Sequence, residues 1–240
     1  QYVQYPGQPM PVYAQSVQPV QPVQPPVMYY AGVPAEEQKP TASAAAKNGA
    51  DKVVVIINNE VPLTKEHLLA LQQTSQVPLE VVIKTTPSSM HSLYAIRDYL
   101  KVEEKFCVTT VDTIFSEQEF STYVEVFGKS NLDGLMAVTS YVDDEKPLYV
   151  QTADDLTITN FCDTCEERCA YVSGGIYCLT RNALDTLSRC IEQGQSRMRN
   201  FQRQLVADGL LLKAYPFSKI IDVDHCSDIV KAEELIQEWQ

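Results

Sequence analysis

Two aspartates that follow hydrophobic runs are the residues best placed to do chemistry. Asp112 comes directly after FCVTTV at 106–111, and Asp224 lies within KIIDVDHCSDI at 219–229. Ligands in open α/β sheets bind beyond the carboxyl ends of the strands. A carboxylate at a buried strand end is costly to desolvate unless it is paired or bound to a cation. Because Mg²⁺ takes one or two carboxylates together with substrate phosphates, this pair would suit a nucleotide site.

These aspartates also have plainer interpretations. Asp112 could simply cap the helix that is predicted to follow it. Asp222 stands two residues before Asp224, so the two share a face in extended chain. Asp228 is better placed as an acidic residue in the first turn of the last helix. The spacing leaves open whether Asp112 and Asp224 meet.

A cluster of arginines could attract an anionic substrate. Arg197, Arg199 and Arg203 form the only tight basic group in a chain with 31 acidic and 19 basic residues. Helical spacing places Arg199 and Arg203 on one face, from which they could steer an anion inward. The alternative is an ordinary solvated helix face.

Composition argues against two classes of partner. The formal net charge is −12, whereas proteins that bind nucleic acid backbones use clustered Lys and Arg. The longest purely aliphatic run, Val53–Ile57, is far shorter than the ~20 residues that span a bilayer. We therefore expect no nucleic acid partner and no membrane partner.

The cysteines suggest a reducing compartment. The chain has seven, an odd number scattered through apolar and polar segments, and this favours free thiols and a cytoplasmic protein. Cys162, Cys165 and Cys169 have a spacing that could bind zinc or an iron–sulfur cluster. Their acidic neighbours and irregular order favour free thiols or a disulfide instead.

Alternating strands and helices must position these residues. The order strand, helix, strand, helix, strand up to residue 111 indicates a parallel sheet with helices on its faces. Val53–Ile57 is expected to be a strand buried on both faces. Closely spaced later strands are expected to pair antiparallel. The predicted strands are 53–57, 79–84, 106–111, 135–142, 147–152, 156–161, 171–179, 210–217 and 219–223, and the predicted helices are 65–73, 92–101, 117–127, 181–193, 198–207 and 227–239.

The first 45 residues differ from the rest in composition. Nine of the 14 prolines lie in the first 40 residues, together with eight Gln and five Tyr. Proline fixes φ and removes a hydrogen-bond donor, so this arm is expected to be disordered and extended. It could serve as a ligand for a proline-binding module or be a low-complexity tail.

Three segments in order resemble one enzyme family. VTTVDTIF at 108–115, VSGGIY at 172–177 and IIDVDHCSDIVKAEEL at 220–235 are similar to the nucleotidyltransferases that include sugar nucleotide pyrophosphorylases and molybdopterin guanylyltransferase-like proteins. The resemblance implies one domain over 46–240 with a Rossmann-like three-layer α/β/α sandwich and a mixed, mostly parallel sheet. It also implies transfer of a nucleoside monophosphate from an NTP to a sugar 1-phosphate or similar phosphorylated acceptor, with release of pyrophosphate.

The resemblance assigns roles to individual residues. By analogy, Asp112 and Asp224 are catalytic and hold Mg²⁺. The remaining implied contacts are Ser88, Ser89, His91 and Thr110 with the nucleotide, and Gly174, Gly175, Glu166 and Arg199 with the acceptor. His91 could equally be a polar residue of a first helical turn.

The resemblance has one gap. Family members carry a Gly-rich, Arg-containing loop that binds the NTP phosphates, followed by a Lys-Pro segment. Residues 1–50 hold no such loop, and Lys39-Pro40 is the only part of this pattern that they contain. The alternative function is therefore a catalytically incomplete domain that binds a nucleotide or sugar phosphate and uses its N-terminal arm for protein interaction.

Overall fold

A mixed six-stranded sheet forms the centre of the protein. The computed structural model describes residues 48–142, 146–164, 169–223 and 225–239, which contain ten strands and six helices. The strands are β1 (Val53–Ile57), β2 (Leu79–Ile83), β3 (Lys105–Thr109), β4 (Thr113–Phe115), β5 (Gly134–Thr139), β6 (Tyr149–Thr152), β7 (Ile158–Cys162), β8 (Tyr171–Thr180), β9 (Leu212–Phe217) and β10 (Ile220–Asp222). The helices are α1 (Pro62–Thr74), α2 (Ser89–Leu100), α3 (Glu117–Lys129), α4 (Ala183–Glu192), α5 (Met198–Ala207) and α6 (Cys226–Glu238).

The long strand β8 organises the main sheet. It pairs antiparallel with β5 along one edge, while β3 and β6 share its other edge. β5 pairs in parallel with β9, so β3, β5 and β9 all run opposite to β8. Because β3 pairs up to Ile176 and β6 only up to Val172, a notch at Ser173–Gly175 separates them. β7 pairs with β6 at the sheet edge.

Two smaller pairs of strands accompany this sheet. β1 and β2 pair in parallel, and β4 and β10 pair antiparallel. The predicted continuous parallel arrangement of the first three strands is therefore incomplete in the described residues, because β1 and β2 pair only with each other. β1 was predicted to be buried on both faces, and this is wrong: all five of its residues are half-buried.

Helices cover both faces of the main sheet. Alternation along β8 places Tyr177 and Leu179 in the hydrophobic cluster that contains α2, α4 and α5. Ile176 and Cys178 point to the opposite cluster, which contains α3. α6 packs its Ala232 and Leu235 on the β4–β10 pair. This layering confirms the predicted mixed α/β sandwich.

Local sequence signals explain where the helices begin. Pro62 occupies the first turn of α1, where its missing N–H costs nothing. Ser88 and Ser116 cap α2 and α3 by accepting backbone N–H groups. The last helix begins one residue earlier than predicted, with His225 as its N-cap, and Asp228 accepts the His225 N–H at 3.0 Å. Asp228 is thus the first-turn acid that its position indicated.

Candidate active site

Asp112 lies in a turn between two strands. β3 ends at Thr109, and β4 begins at Thr113. The helix that follows is capped by Ser116, so the interpretation of Asp112 as a helix cap is wrong. The carbonyl of Asp112 accepts the Val223 N–H at 3.0 Å, which ties the turn to the end of β10.

The carboxylate of Asp222 lies beside this turn. Asp222 is paired with Thr113 in the β4–β10 ladder, and its Oδ1 accepts the Thr113 hydroxyl at 2.8 Å. The Thr113 hydroxyl also contacts that of Thr110. Asp112 directly precedes Thr113, which is the ladder partner of Asp222, so the two aspartates lie at neighbouring positions of the paired strands. Asp224, the predicted partner of Asp112, lies outside the described residues.

Gly175 lets β8 pass close to these hydroxyls. Its φ is +74°, a conformation that favours glycine, and an added Cβ would lie 3.2 Å from Thr113 Oγ1 and 3.4 Å from Thr110 Oγ1. A Cβ on Gly174 would collide with the Ile220 side chain. The two glycines thus allow the strands to approach each other, and Gly175 brings the notch of β8 to Thr110, Thr113 and Asp222.

A buried polar group forms the next part of the site. The Gln202 side chain, only 2% exposed, donates to Ser173 Oγ at 3.0 Å. Burial and then the negative charge of Asp222 raise the pKa of Tyr177 to about 12, although hydrogen bonds with Ser173 and Gln202 act in the opposite direction. Tyr177 therefore stays neutral at physiological pH and can offer a hydroxyl proton.

One cavity connects most of the predicted site residues. It measures about 2180 Å³ and is lined by Ser88, Ser89, Thr110, Asp112, Gly175 and Arg199, together with Asp222, Ser173, Tyr177 and Gln202. His91 is outside this lining, and its Nδ1 lies 2.9 Å from Ser88 Oγ at the start of α2. Glu166 lies outside the described residues.

The arginine cluster is partly engaged. Arg199 and Arg203 both contact the carboxylate of Asp163, at 2.5 and 2.8 Å. Arg199 also donates to the carbonyl of Lys146, and Arg203 donates to that of Phe161. The hydrogen bonds that Arg203 and then Arg199 donate to the Asp163 carboxylate hold the pKa of Asp163 below its usual value. Arg199 still borders the cavity, whereas Arg203 secures the end of β7.

Sequence reasoning missed several polar residues of the site. Thr113, Ser173, Tyr177 and Gln202 were not singled out, and Asp222 was considered only as a neighbour of Asp224. Gln202 did carry a signal, because it lies next to Phe201 and three residues before Leu205 on the buried side of α5. A polar residue on the buried side of a helix needs a hydrogen-bond partner. Within the described residues, no group of three or more His, Cys, Asp or Glu side chains could hold a metal ion.

Comparison with known proteins identifies the class. The family described as nucleotidyl transferase matches residues 38–238, so this chain belongs to the nucleotidyl transferase family. That membership confirms the predicted resemblance and the predicted class of reaction, nucleotidyl transfer. A comparison with curated protein sequences gave no significant match.

Solved structures share the fold. The chain is similar to an inositol-1-phosphate CTP transferase from T. maritima, with TM-score 0.66, 16% identity, and coverage of 81% of this chain and 80% of that one. A putative glucose-1-phosphate thymidylyltransferase from Bacillus anthracis gives TM-score 0.67 and 17% identity, covering 80% and 78%. A UDP-glucose pyrophosphorylase complexed with UDP-glucose gives TM-score 0.65 and 12% identity, covering 83% and 85%. These likenesses confirm the predicted fold class.

Proposed function

We propose that this domain transfers a nucleoside monophosphate from an NTP to a sugar 1-phosphate or a similar phosphorylated alcohol. The observation that carries the proposal is the junction of Asp112 and Asp222 at the mouth of the β8 notch, inside a cavity also lined by the start of α2. The structural neighbours are named for CTP, thymidylyl and UDP chemistry on glucose or inositol phosphates, which supports this acceptor class.

The carboxylates suit a divalent cation. Asp112 and Asp222 supply hard oxygen ligands, and Mg²⁺ binds one or two such carboxylates together with substrate phosphates. Thr113 fixes one oxygen of Asp222 by its hydrogen bond. Bound there, Mg²⁺ would neutralise charge on the phosphates during displacement. Asp224 remains a proposed second contributor two residues from Asp222.

The start of α2 is the proposed nucleotide contact. Ser88 caps the helix, and the first backbone N–H groups of a helix lack intrahelical partners. These N–H groups and the helix dipole favour an anion. Ser88, Ser89 and Thr110 all border the cavity, so we assign them to the nucleotide, with His91 holding Ser88 in place.

The opposite wall is the proposed acceptor contact. Gly175 leaves room beside the carboxylates, and Tyr177, Ser173 and Gln202 supply hydroxyl and amide groups that can bind sugar hydroxyls. Arg199 faces the same cavity from α5 and provides positive charge for the acceptor phosphate. Gly174 acts through strand packing, and Glu166 remains a proposed acceptor contact.

The reaction is an in-line displacement. An oxygen of the acceptor phosphate forms a bond to the α-phosphorus of the NTP. The bond from that phosphorus to the oxygen that bridges to the β-phosphate breaks, and pyrophosphate leaves with the electron pair. The residues act by positioning and by neutralising charge.

Incubation with defined substrates tests this function. CTP, dTTP, UTP, ATP and GTP are each mixed with glucose 1-phosphate or inositol 1-phosphate and MgCl₂, and sugar nucleotide formation is followed by mass spectrometry. We expect one NTP to give product, with a loss of roughly 100-fold or more in Asp222→Asn. Asp185→Asn, an exposed carboxylate on α4, is the matched control and should retain activity.

A second candidate is a binding domain without turnover. It is favoured by the given sequence, in which residues 1–96 hold no Arg that could contact the phosphates. This candidate predicts nucleotide binding by calorimetry, weakened in Asp222→Asn, with no product from any pair. An absence of both binding and product would contradict both functions.

The remaining inferences concern the setting of the protein. Within the described residues, none of the helices is long and apolar enough to cross a membrane. Five of the cysteines that the structure describes are free thiols, which supports the inference of a reducing cytoplasm; they are Cys107, Cys169, Cys178, Cys190 and Cys226. The proline-rich arm and Cys165 lie outside the described residues, so a proline-binding partner and metal binding at the cysteine string stay predictions, as does the domain division at residue 45.

A further inference from the structure

Two thiols lie opposite each other on strands β3 and β8. Cys107 and Cys178 are direct partners in the antiparallel ladder of these strands, and both are free thiols. Directly opposed side chains point to the same face of a sheet. Cys178 belongs to the hydrophobic cluster on the side of α3. The ladder therefore holds the two thiols side by side on that face of the main sheet.

The hydrogen bonds of the ladder show that the two cysteines form a close pair. The Arg181 N–H donates to the carbonyl of Glu104 at 3.0 Å, so these opposed residues are a hydrogen-bonded pair. Hydrogen-bonded and non-hydrogen-bonded pairs alternate along an antiparallel ladder. Cys107 and Cys178, three positions further along, are therefore a non-hydrogen-bonded pair. In agreement, the Cys178 N–H points away from β3 and donates to the Tyr123 hydroxyl at 2.8 Å.

The geometry of such a pair suits a disulfide. The Cα atoms of a non-hydrogen-bonded pair lie about 4.5 Å apart, within the range of about 4.4–6.8 Å that disulfides span. The Cβ atoms of directly opposed residues, about 4.5–5.5 Å apart, would approach to about 3.8 Å in a disulfide. The bond therefore requires a movement of about 1 Å between β3 and β8 and no rearrangement of the fold.

The two thiols differ in their access to solvent. In the part of the chain that the structure describes, Cys107 is exposed, whereas Cys178 is only 2% exposed. The interaction with the Cys178 thiol raises the pKa of the Cys107 thiol well above its usual value. A small oxidant thus reaches Cys107 first, and Cys178 is placed to react with it next.

The pair lies close to the junction of the proposed catalytic carboxylates. β3 ends two residues after Cys107, and the turn at 110–112 follows. On β8, Gly175 lies three residues before Cys178, and a Cβ added to Gly175 would lie 3.2 Å from Thr113 Oγ1. Because β8 is packed this closely against the residues that flank the turn, a movement of β3 towards β8 displaces the turn.

We propose that Cys107 and Cys178 are a modification site that closes to an intramolecular disulfide on reaction with a low-molecular-weight disulfide, and that this closure displaces the turn that carries Asp112. The bond and the displacement follow from the strand register, so they are independent of the proposed function. The effect of closure on nucleotidyl transfer rests on that function.

The reaction consists of two thiol–disulfide exchanges. The Cys107 thiol loses its proton, and its sulfur attacks the small disulfide, whose S–S bond breaks and releases one thiolate. The Cys178 thiolate then attacks the Cys107 sulfur and expels the second small thiolate. Two cysteine thiols are oxidised by two electrons, and the small disulfide is reduced to two thiols, which take up the two protons.

Mass spectrometry of the full chain tests the bond. The reduced protein is incubated with glutathione disulfide at about pH 8.5, because the thiolate is the nucleophile. It is then alkylated with N-ethylmaleimide and digested with trypsin and chymotrypsin, since cleavage after Tyr171 separates Cys169 from Cys178. We expect a peptide pair that links Cys107 to Cys178 and that disappears on treatment with dithiothreitol.

Three variants test the order of the exchanges. Cys178→Ala should stop at the mixed disulfide, with one glutathione retained on Cys107. Cys107→Ser should give neither this mixed disulfide nor the linked peptides. Cys226→Ser removes another exposed thiol, and as the matched control it should form the linked peptides as the wild type does.

Amide NMR spectra report on the turn whatever the activity of the protein. On oxidation, we expect the amide signals of Asp112 and Gly175 to shift in the wild type and in Cys226→Ser, and to stay in place in Cys107→Ser. Sugar nucleotide formation should fall roughly ten-fold or more and return with dithiothreitol, because a misplacement of about 1 Å can cost about 100-fold. A reduced protein that forms no product would contradict the proposed function, while the peptide and NMR results still decide the present proposal.

Three results overturn the proposal. A link from Cys107 to a different cysteine, or alkylation of both thiols after oxidation, would show that the pair does not close. Links found only in dimers on non-reducing gels would mean that the partner thiol belongs to a second chain. A linked pair with unchanged amide signals of the turn would show that closure does not reach the site.

Discussion

At the scale of single residues, the site depends on a glycine and on the hydroxyls around one carboxylate. Gly175 adopts a left-handed conformation beside Thr110 and Thr113, and Thr113 fixes Asp222. Asp112, the proposed catalytic residue, could be recognised in the sequence because it follows a hydrophobic run. Asp222 could not be preferred over Asp224, because only the register of β10 against β4 places one of them beside Thr113.

Replacing Gly175 by alanine should harm the site more than the fold. Gly175→Ala and Gly209→Ala both place a side chain at positive φ, at a cost of about 1–2 kcal/mol of unfolding free energy. A Cβ at 209 meets nothing within 4 Å, whereas one at 175 meets two hydroxyls. We expect similar losses of stability in urea but a roughly ten-fold or greater loss of activity in Gly175→Ala alone. Equal activities would contradict the role of the notch.

The titration of Tyr177 reports on Asp222. The Tyr177 hydroxyl has its pKa raised to about 12 by burial and then by the Asp222 charge, so Asp222→Asn should lower this pKa. The folded protein holds this proton more tightly than the unfolded chain, so the stability it contributes is complete below about pH 10 and is lost as the pH rises towards 12. ¹³C-tyrosine NMR measures the titration, with Tyr177→Phe identifying the signal. If the pKa of Tyr177 is unchanged in Asp222→Asn, the charge of Asp222 does not act on the Tyr177 hydroxyl.

At the scale of elements, α3 is fastened to the sheet by one buried tyrosine. The Tyr123 hydroxyl donates to the carbonyl of Leu135 in β5 and accepts the Cys178 N–H of β8 at 2.8 Å. It is fully buried among aromatic rings of β4, α3 and β9. This contact keeps β5 and β8 in register beside the bulge between Met136 and Val138.

Removing that hydroxyl should cost stability without touching the site. Tyr123→Phe leaves a buried N–H and a buried carbonyl each short of a partner, so we expect a loss of about 1–3 kcal/mol in unfolding free energy. Tyr141→Phe, at a side chain 40% exposed, should change it by less than about 0.5 kcal/mol. Chemical denaturation followed by circular dichroism measures both. Equal stabilities would show that the Tyr123 hydroxyl contributes nothing.

Periodicity predicted the elements better than their pairing. Helix α5 was predicted at 198–207 and lies there, because its apolar spacing and flanking turns are local signals. The strand predicted at 106–111 ends at Thr109, because Thr110 to Asp112 must turn so that β4 can reach β10. The separation of β1 from β3 in the described residues has no local signal, because strand pairing joins residues that are distant in the sequence.

At the scale of the whole molecule, one cavity joins the site to β1 and β3. Thr110 and Asp112 follow β3 directly, and both β1 and β3 line the same space as Ser88 and Asp222. The formal net charge of −12 makes cation binding at this acidic junction favourable and disfavours nucleic acid as a partner.

The fate of labelled phosphate tests the central claim most directly. The full chain is incubated with MgCl₂, glucose 1-phosphate or inositol 1-phosphate, and the active NTP labelled at either the α- or the γ-phosphate. Nucleotidyl transfer predicts that the α-label enters the sugar nucleotide and the γ-label enters pyrophosphate, with both transfers lost in Asp222→Asn and kept in Asp185→Asn. Appearance of γ-label in the acceptor or in orthophosphate, or full transfer in Asp222→Asn, would contradict the account.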